Sequence, residues 1–252
     1  FPDSEMHGVD VIIPDFSYLL DNKHKVKALF ITHGHEDHFG AVPYFLDEFD
    51  VPIYTNSLVK GFLTERFKDP AFRKIGKSVR FVDISPGSQE ARFRHFSVSA
   101  FGVNHSVPAS MGFAIKTPEG VVLHISDYKI DESPVLDKPF DINIIRSYGE
   151  RGVLCLLSDW LGITEEGHSK SESIIGETFL NLFGKAQNKQ IYITTISSNI
   201  SRMYQIIKAA THYGRKVVLS GRSIKQSISV ARGLGYLPFG DDVFVEEDTS
   251  EK

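Results

Sequence analysis

The sequence predicts an α/β protein in which a mixed α+β layer is followed by an open, parallel α/β layer. Two observations indicate this class. Short apolar runs alternate with amphipathic segments of helical length along the 252 residues, which is typical of sheets covered by helices. After about residue 149 the alternation of strand and helix becomes regular, and this favours parallel βαβ units.

The elements of the first part are predicted from apolar runs and turn residues. Pro43 stands in the first turn of a predicted helix, where its missing N–H has no helical partner to lose. Pro118, Glu119 and Gly120 predict the turn of a hairpin. The predicted elements are a strand at 27–32, a helix from 40–46, a strand at 51–55, a helix at 57–67 capped by Ser57, a strand at 92–103 and hairpin strands at 111–117 and 121–125.

The second part is predicted to alternate strand and helix three times. The apolar run at 152–158 predicts a buried strand that contains Cys155, so we expect this thiol in the core. Ser171 is the expected cap of the first helix. The elements are strands at 152–158, 190–195 and 216–220 and helices at 171–187, 200–213 and 224–234. We place the boundary between two domains, 1–154 and 155–252, at this change of pattern.

Composition limits the function classes. Hydrophobic residues make up 41% of the chain and charged residues 24%, which is enough apolar material for a core. The net charge of −4 excludes an overall basic surface, so any nucleic-acid contact must be a local patch. The single cysteine excludes an internal disulfide and a cysteine-rich zinc module. It fits a reducing compartment, and we expect a cytoplasmic protein. No apolar run is long enough to span a membrane and no signal peptide opens the chain, so we expect no membrane association.

Four potential metal ligands follow the first predicted strand within six residues: His33, His35, Asp37 and His38. Alternate residues of a tight turn can converge on one ion, so His33 and His35 could bind one metal while Asp37 and His38 bind another. Imidazole and carboxylate suit Zn²⁺, and Mn²⁺ remains open. A polar loop whose histidines merely cap a helix is the alternative, and it does not explain so dense a cluster.

Two further candidate ligands, His105 and Asp127, stand at the ends of later predicted strands. A carboxylate between two cations can bridge them. Two metals about 3.5–4 Å apart can activate a bridging hydroxide and hold a phosphoryl oxygen. Either residue alone would more often be an ordinary turn residue, but the first cluster favours the ligand interpretation.

These residues carry a resemblance to a known family. The segment 32–38 (THGHEDH) is similar to the metal motif of the metallo-β-lactamase superfamily. Most of the chain resembles one branch of it, the ribonuclease J family. The further segments that carry this resemblance are 1–6 (FPDSEM), 104–108 (NHSVP), 117–120 (TPEG), 124–129 (HISDYK), 157–159 (LSD), 197–200 (SSNI), 213–217 (YGRKV) and 221–223 (GRS).

The resemblance implies a metallo-β-lactamase αββα sandwich, lacking its first strands, followed by the start of a β-CASP α/β domain, with RNA in the cleft between them. It implies that His33, His35 and His105 hold one zinc, that Asp37 and His38 hold the other, and that Asp127 bridges them. Asp159 matches an acidic residue at the start of the β-CASP region that either supports the metal ligands or handles protons, and Asp37 or Asp159 could orient the nucleophile. The implied activity is metal-dependent endo- and 5′-3′ exoribonuclease cleavage of RNA, by a metal-activated hydroxide and preferably from a 5′-monophosphate. A homo-oligomer is expected for the full-length protein.

Weaker candidates stand where predicted strands pass into helices. Helix starts rich in hydroxyl, amide and guanidinium donors can bind phosphate. Two of them on neighbouring parallel strands would lie at one sheet edge. The candidates for RNA contact are Ser198, Asn199, Arg202, Arg222 and Ser223. Ordinary helix capping by Ser198 or Asn199 is an equally weighted alternative.

Three positions depart from the family's pattern: Ser126 stands where a glycine is usual, Trp160 where a small hydroxyl residue is usual, and Ser201 where a histidine is common. The chain also begins and ends inside the family's pattern, so we expect a partial chain with an incomplete second metal site and little turnover. A small-molecule hydrolase using the same metal cluster is one alternative function. A non-catalytic RNA-binding subunit, favoured by Trp160 and Ser201, is the other.

Overall fold

A computed structural model describes residues 5–186 and 188–246. The first four residues of segment 1–6, and Gln187 at the end of the helix predicted at 171–187, therefore lie outside the described residues. The predicted mixture of helices and strands is confirmed. Among the residues that the structure describes, no helix is both long and apolar enough to cross a bilayer.

The first layer is a small parallel sheet with helices on one face. Its strands lie in the order β1-β2-β3. Asn56 caps α4, because its side chain accepts a hydrogen bond from the Val59 N–H at 2.9 Å; the predicted Ser57 cap was wrong by one residue. The elements in chain order are α1 (Ser17–Asp21), β1 (Leu29–Phe30), α2 (Glu36–Phe39), α3 (Val42–Glu48), β2 (Ile53–Thr55), α4 (Ser57–Arg66), α5 (Arg73–Gly76) and β3 (Phe81–Asp83).

The second layer is a five-stranded sheet in the order of the chain. The single strand predicted at 92–103 was wrong, since Phe93 N–H donates to the Phe96 carbonyl and turns the chain. The rings of Phe93 and Phe96 stack with their centroids 4.9 Å apart, so the two apolar residues contact each other within the hairpin turn. The elements are β4 (Ala91–Arg92), β5 (Ser97–Gly102), β6 (Met111–Thr117), β7 (Gly120–Ser126), α6 (Ile142–Arg151) and β8 (Cys155–Ser158). Strands β4 to β7 are antiparallel neighbours, and β8 is parallel to β7.

The two sheets face each other across an apolar layer. Phe30 of β1 stacks on Tyr54 of β2 at 4.7 Å and meets Phe113 of β6 edge-on at 5.5 Å. Helix α6 covers the opposite face of the second sheet, where Ile144 and Tyr148 contact its core. Helices, sheet, sheet and helix therefore form the four layers of an αββα sandwich.

Strand β8 corrects the expectation of a buried strand at 152–158. It is the edge of the second sheet, and Leu154 and Leu156 are 59% and 56% exposed. Cys155 is exposed as well, so the expected core thiol was also wrong. An apolar run predicts a strand correctly, but it does not specify whether a further layer covers it.

The remaining elements are α7 (Ser173–Lys185), α8 (Ile200–His212), β9 (Val217–Val218), α9 (Arg222–Gly233) and β10 (Phe244–Val245). The helices confirm the prediction, but the expected Ser171 cap was wrong by one residue. Glu172 stands at the N-cap of α7, and the Ser171 hydroxyl accepts the Ser173 N–H at 3.3 Å before the helix. The strand predicted at 190–195 was wrong: in the described part of the chain these residues form no ladder. Strand β9 pairs instead with β10. Strand propensity needs a neighbouring backbone to become a strand, and local sequence cannot supply it.

The main hydrophobic core joins the two parts of the chain. Leu58 and Leu63 of α4 are fully buried in the same cluster as Ile200 of α8 and Ile228 of α9. A Cβ at Gly61 of α4 would lie 2.5 Å from the Val230 side chain, so the glycine permits α9 to approach closely. This packing brings the N-termini of α8 and α9 towards the turn between β1 and α2.

Candidate metal centre

The structure brings His33, His35, His105 and Asp127 together at the carboxyl ends of three strands. One donor atom from each lies within 4.8 Å of the others. His35 Nδ1 is 3.1 Å from His33 Nε2 and 3.0 Å from His105 Nε2. Asp127 Oδ2 is 3.8 Å from Nε2 of both His33 and His105. Ligand atoms of a tetrahedral zinc site with bonds of about 2.0–2.1 Å lie roughly 3.3–3.4 Å apart, so this group fits such an ion.

A second group of donors consists of Asp37, His38 and Asp127. His38 Nε2 lies 3.4 Å from Asp37 Oδ2 and 3.3 Å from Asp127 Oδ2. Asp127 thus belongs to both groups, as expected of a bridging carboxylate. Asp37 is the most accessible member, with 77% of its side chain exposed.

The histidines of the first group have lowered pKa values, which favour the neutral form that binds a cation. Burial lowers the pKa of His33 to about 2 and that of His35 to about 4, and neighbouring histidines add to both shifts. Burial also lowers the pKa of His105. Neutral imidazoles keep a lone pair for a metal, so the ligands need no deprotonation at neutral pH.

Hydroxyl groups face the ring nitrogens that point away from the donor cluster. Thr32 Oγ1 lies 3.0 Å from His33 Nδ1, and Ser106 Oγ lies 3.0 Å from His35 Nε2. Such contacts fix the tautomer and orientation of metal-binding histidines. Sequence reasoning missed both hydroxyls. The available signal was adjacency, since each residue is the immediate neighbour of a predicted ligand.

Asp159 lies close to this cluster without belonging to either donor group. Its negative charge acts to raise the pKa of His105, against the larger effect of burial. One carboxylate oxygen accepts the Leu161 N–H at 2.9 Å. The neighbouring Trp160 is 78% exposed, so its indole extends into solvent.

A cleft of about 540 Å³ adjoins the metal-binding turn. Its lining residues include Gly34 and Glu36 from this turn and Ser198, Arg222 and Ser223 from the second part of the chain. Three of the five residues predicted to contact RNA therefore share a cleft with the turn that carries His33 and His35. Arg66, which also lines the cleft, forms an ion pair with Glu36.

The other two candidates have local partners. The Asn199 side chain caps α8 by accepting the Arg202 N–H at 2.9 Å. The Arg202 guanidinium donates to both carboxylate oxygens of Glu172, at 2.5 and 3.0 Å. These bonds connect the start of α7 to α8, and an RNA contact by either residue stays a prediction.

Comparison with family models adds to this geometry. Residues 13–184 match the model of the metallo-β-lactamase superfamily. The chain belongs to the metallo-β-lactamase superfamily. Residues 188–252 match the model described as "Ribonuclease J, beta-CASP domain". The boundary predicted at residues 154 and 155 stays a prediction.

Within this superfamily, curated relatives named ribonuclease J match nearly the whole chain. Ribonuclease J of Helicobacter pylori is 38% identical over 256 residues, covering 100% of this chain and 36% of that protein. The Synechocystis protein is 37% identical, covering 97% and 38%. Ribonuclease J 2 of Staphylococcus aureus is 35% identical, covering 97% and 43%. The chain therefore spans less than half the length of these relatives.

One solved structure supports the fold of this superfamily member. A protein of unknown function from Enterococcus faecalis superposes with a TM-score of 0.62 over 89% of this chain and 56% of that chain. The two sequences are 15% identical, so the likeness concerns the fold alone.

Proposed function

We propose that this chain is the metal-binding part of a metal-dependent ribonuclease that cuts RNA internally and from a 5′-monophosphorylated end. The observation that carries the proposal is the pair of donor groups sharing Asp127, next to a cleft lined by Arg222 and Ser223. The resemblance of the whole chain to proteins named ribonuclease J supports RNA as the substrate.

His33, His35, His105 and Asp127 would hold the first metal ion, and Asp37, His38 and Asp127 the second. Histidine and carboxylate donors favour Zn²⁺, with Mn²⁺ as the alternative. When bound, such cations lower the pKa of water from 15.7 towards about 7 and neutralise charge on phosphoryl oxygens.

The two sites should differ in affinity. The first group has four donors, with His33 fully buried, whereas the second has three donors, one of them shared and one largely exposed. Fewer donors and greater water access weaken binding. We therefore expect one tightly held metal per chain and a second that exchanges readily, which metal analysis after gel filtration measures. Two tightly held ions would contradict this expectation.

The chain's own groups would position the substrate and handle protons. Arg222 and Ser223 open α9, a helix of 12 residues whose free N–H groups favour an anion. With Ser198 they would bind phosphates of the RNA backbone. Asp37 and Asp159 would orient the attacking oxygen or accept its proton.

Single-turnover cleavage of 5′-monophosphorylated RNA, with the chain in excess and Zn²⁺ or Mn²⁺ present, tests the proposal. We expect slow, metal-dependent cleavage that chelation abolishes. Asp127→Asn should also abolish it, because both donor groups lose their shared carboxylate, while RNA binding should persist. Cleavage that survives chelation would refute a metal mechanism.

Two alternatives are outcomes of the same experiment. Hydrolysis of a chromogenic lactam or a thioester, with RNA left intact, would identify a small-molecule hydrolase. RNA binding that survives both chelation and Asp37→Ala, without any cleavage, would identify a non-catalytic RNA-binding subunit. A cytoplasmic location and assembly into a homo-oligomer are further parts of the proposal. Light scattering of the full-length protein measures the oligomeric state.

A further inference from the structure

Ser126 has an unusual backbone conformation directly before Asp127. Its φ of 67° lies in the left-handed region, where Ala109 is the other non-glycine residue among those described. The register between β7 and β8 is irregular at this point, between His124 and Ser126. A residue with a side chain persists in this region where its surroundings hold it there, and such residues concentrate at functional sites.

The Ser126 side chain is directed towards His33. Its Oγ lies 3.0 Å from Thr32 Oγ1, within hydrogen-bond distance, and 3.5 Å from His33 Nδ1. Thr32 Oγ1 is itself 3.0 Å from that nitrogen. All three residues are buried, with His33 completely inaccessible. Two hydroxyl groups thus surround the nitrogen that faces away from the donor cluster.

We propose that Ser126 is a positioning residue, which together with Thr32 keeps the ring proton of His33 on Nδ1 and leaves Nε2 free for the metal. This inference rests on the proposed metal site. A metal at Nε2 requires the neutral tautomer that carries its proton on Nδ1. Thr32 Oγ1 must then accept a hydrogen bond from Nδ1–H and direct its own hydroxyl hydrogen elsewhere.

Ser126 provides the acceptor for the hydrogen of Thr32. Hydroxyl hydrogens rotate, and each hydroxyl oxygen has two lone pairs, so the Ser126–Thr32 bond can run in either direction. Without Ser126, the Thr32 hydroxyl has His33 Nδ1 as its one remaining side-chain acceptor among the contacts of the described residues. Donation to Nδ1 favours the tautomer that carries its proton on Nε2, where the proton competes with the metal.

Two substitutions separate the hydroxyl from the backbone strain. Ser126→Ala removes the hydroxyl and keeps the strain, whereas Ser126→Gly removes both. We expect the glycine variant to melt at a higher temperature than the alanine variant. Both variants should bind Zn²⁺ about tenfold or more weakly than the wild-type chain, the usual effect of losing a group that orients a metal ligand.

The affinity of the 252-residue chain for Zn²⁺ is measured by competition with a chromophoric chelator, and that for Co²⁺ by its visible absorption. Ring ¹⁵N shifts of the metal-free chain report the tautomer, and both variants should shift His33 towards Nε2–H. Ser110→Ala is the matched control, because Ser110, five residues after His105 in the chain, is a buried hydroxyl that donates to the Val107 carbonyl at 2.7 Å. The Ser110→Ala variant should be less stable but should bind the metal with wild-type affinity.

Three results would overturn the inference. Wild-type affinity in the alanine variant would show that the hydroxyl has no role. Wild-type affinity in the glycine variant alone would show that the site does not need the hydroxyl once the backbone strain is removed. A wild-type chain that binds neither Zn²⁺ nor Co²⁺ would remove the metal site itself, and with it the proposed function.

Discussion

Acidification should destabilise the metal-free chain through His33. The unfolded histidine has a pKa near 6.5, and burial in the folded chain lowers it to about 2. Below pH 6.5 the unfolded state therefore binds a proton that the folded state excludes. The contribution of neutral His33 to the free energy of unfolding is complete above pH 6.5 and is lost progressively as the pH falls towards 2.

The expected magnitude follows from this difference. At pH 5, protonation of His33 in the unfolded state lowers the free energy of unfolding by about 2 kcal/mol. Each pKa unit corresponds to about 1.36 kcal/mol, and pH 5 lies roughly 1.5 units below 6.5. His35, with a folded pKa of about 4, acts in the same direction over a narrower range. For a chain with an ordinary stability of about 5–15 kcal/mol, this loss is substantial.

Urea denaturation in the presence of a chelator, at pH 7, 6 and 5, measures the effect. The His33→Gln variant serves as the comparison, because glutamine keeps a polar side chain without a titrating ring. Its stability at pH 7 should be lower, but its loss between pH 7 and 5 should be smaller than the wild-type loss by about 2 kcal/mol. Equal losses in both chains would refute the assignment of a buried, neutral imidazole to His33.

Further predictions concern the turn, the two arginines and the metal. Gly34→Ala should destabilise the chain by about 1–3 kcal/mol and weaken metal binding, because the added Cβ would lie 2.6 Å from the Phe62 ring. The control is Gly149→Ala, since a Cβ there would meet open space. It should be neutral or slightly stabilising in thermal melts. Arg202→Ala should lower the melting temperature, because the Glu172 carboxylate loses its cationic partner. Arg222→Ala should weaken RNA binding at unchanged stability. The reverse pattern in melts and filter binding would contradict both assignments. Chelation should lower the melting temperature, and added Zn²⁺ should restore it, since a ligand that binds the folded state stabilises it.

The sequence by itself predicted the superfamily's metal-binding motif and most local elements. Four potential ligands in six residues after an apolar run predicted a metal-binding turn, and Asp127 was a further candidate at the end of its strand. Helices α8 and α9 followed from their apolar periodicity. These features are encoded within one or two turns of chain, so a local pattern is enough to reveal them.

The tertiary structure decided which groups meet. His35 and His105 are 70 residues apart, and Thr32 and Ser126 are 94 apart, yet both pairs are in contact. Sheet pairing and helix packing bring such segments together, and a local pattern records neither. For the same reason the sequence could not reveal that β8 is an exposed edge or that residues 190–195 form no ladder. Burial and strand pairing are properties of neighbours in space, which the folded chain supplies.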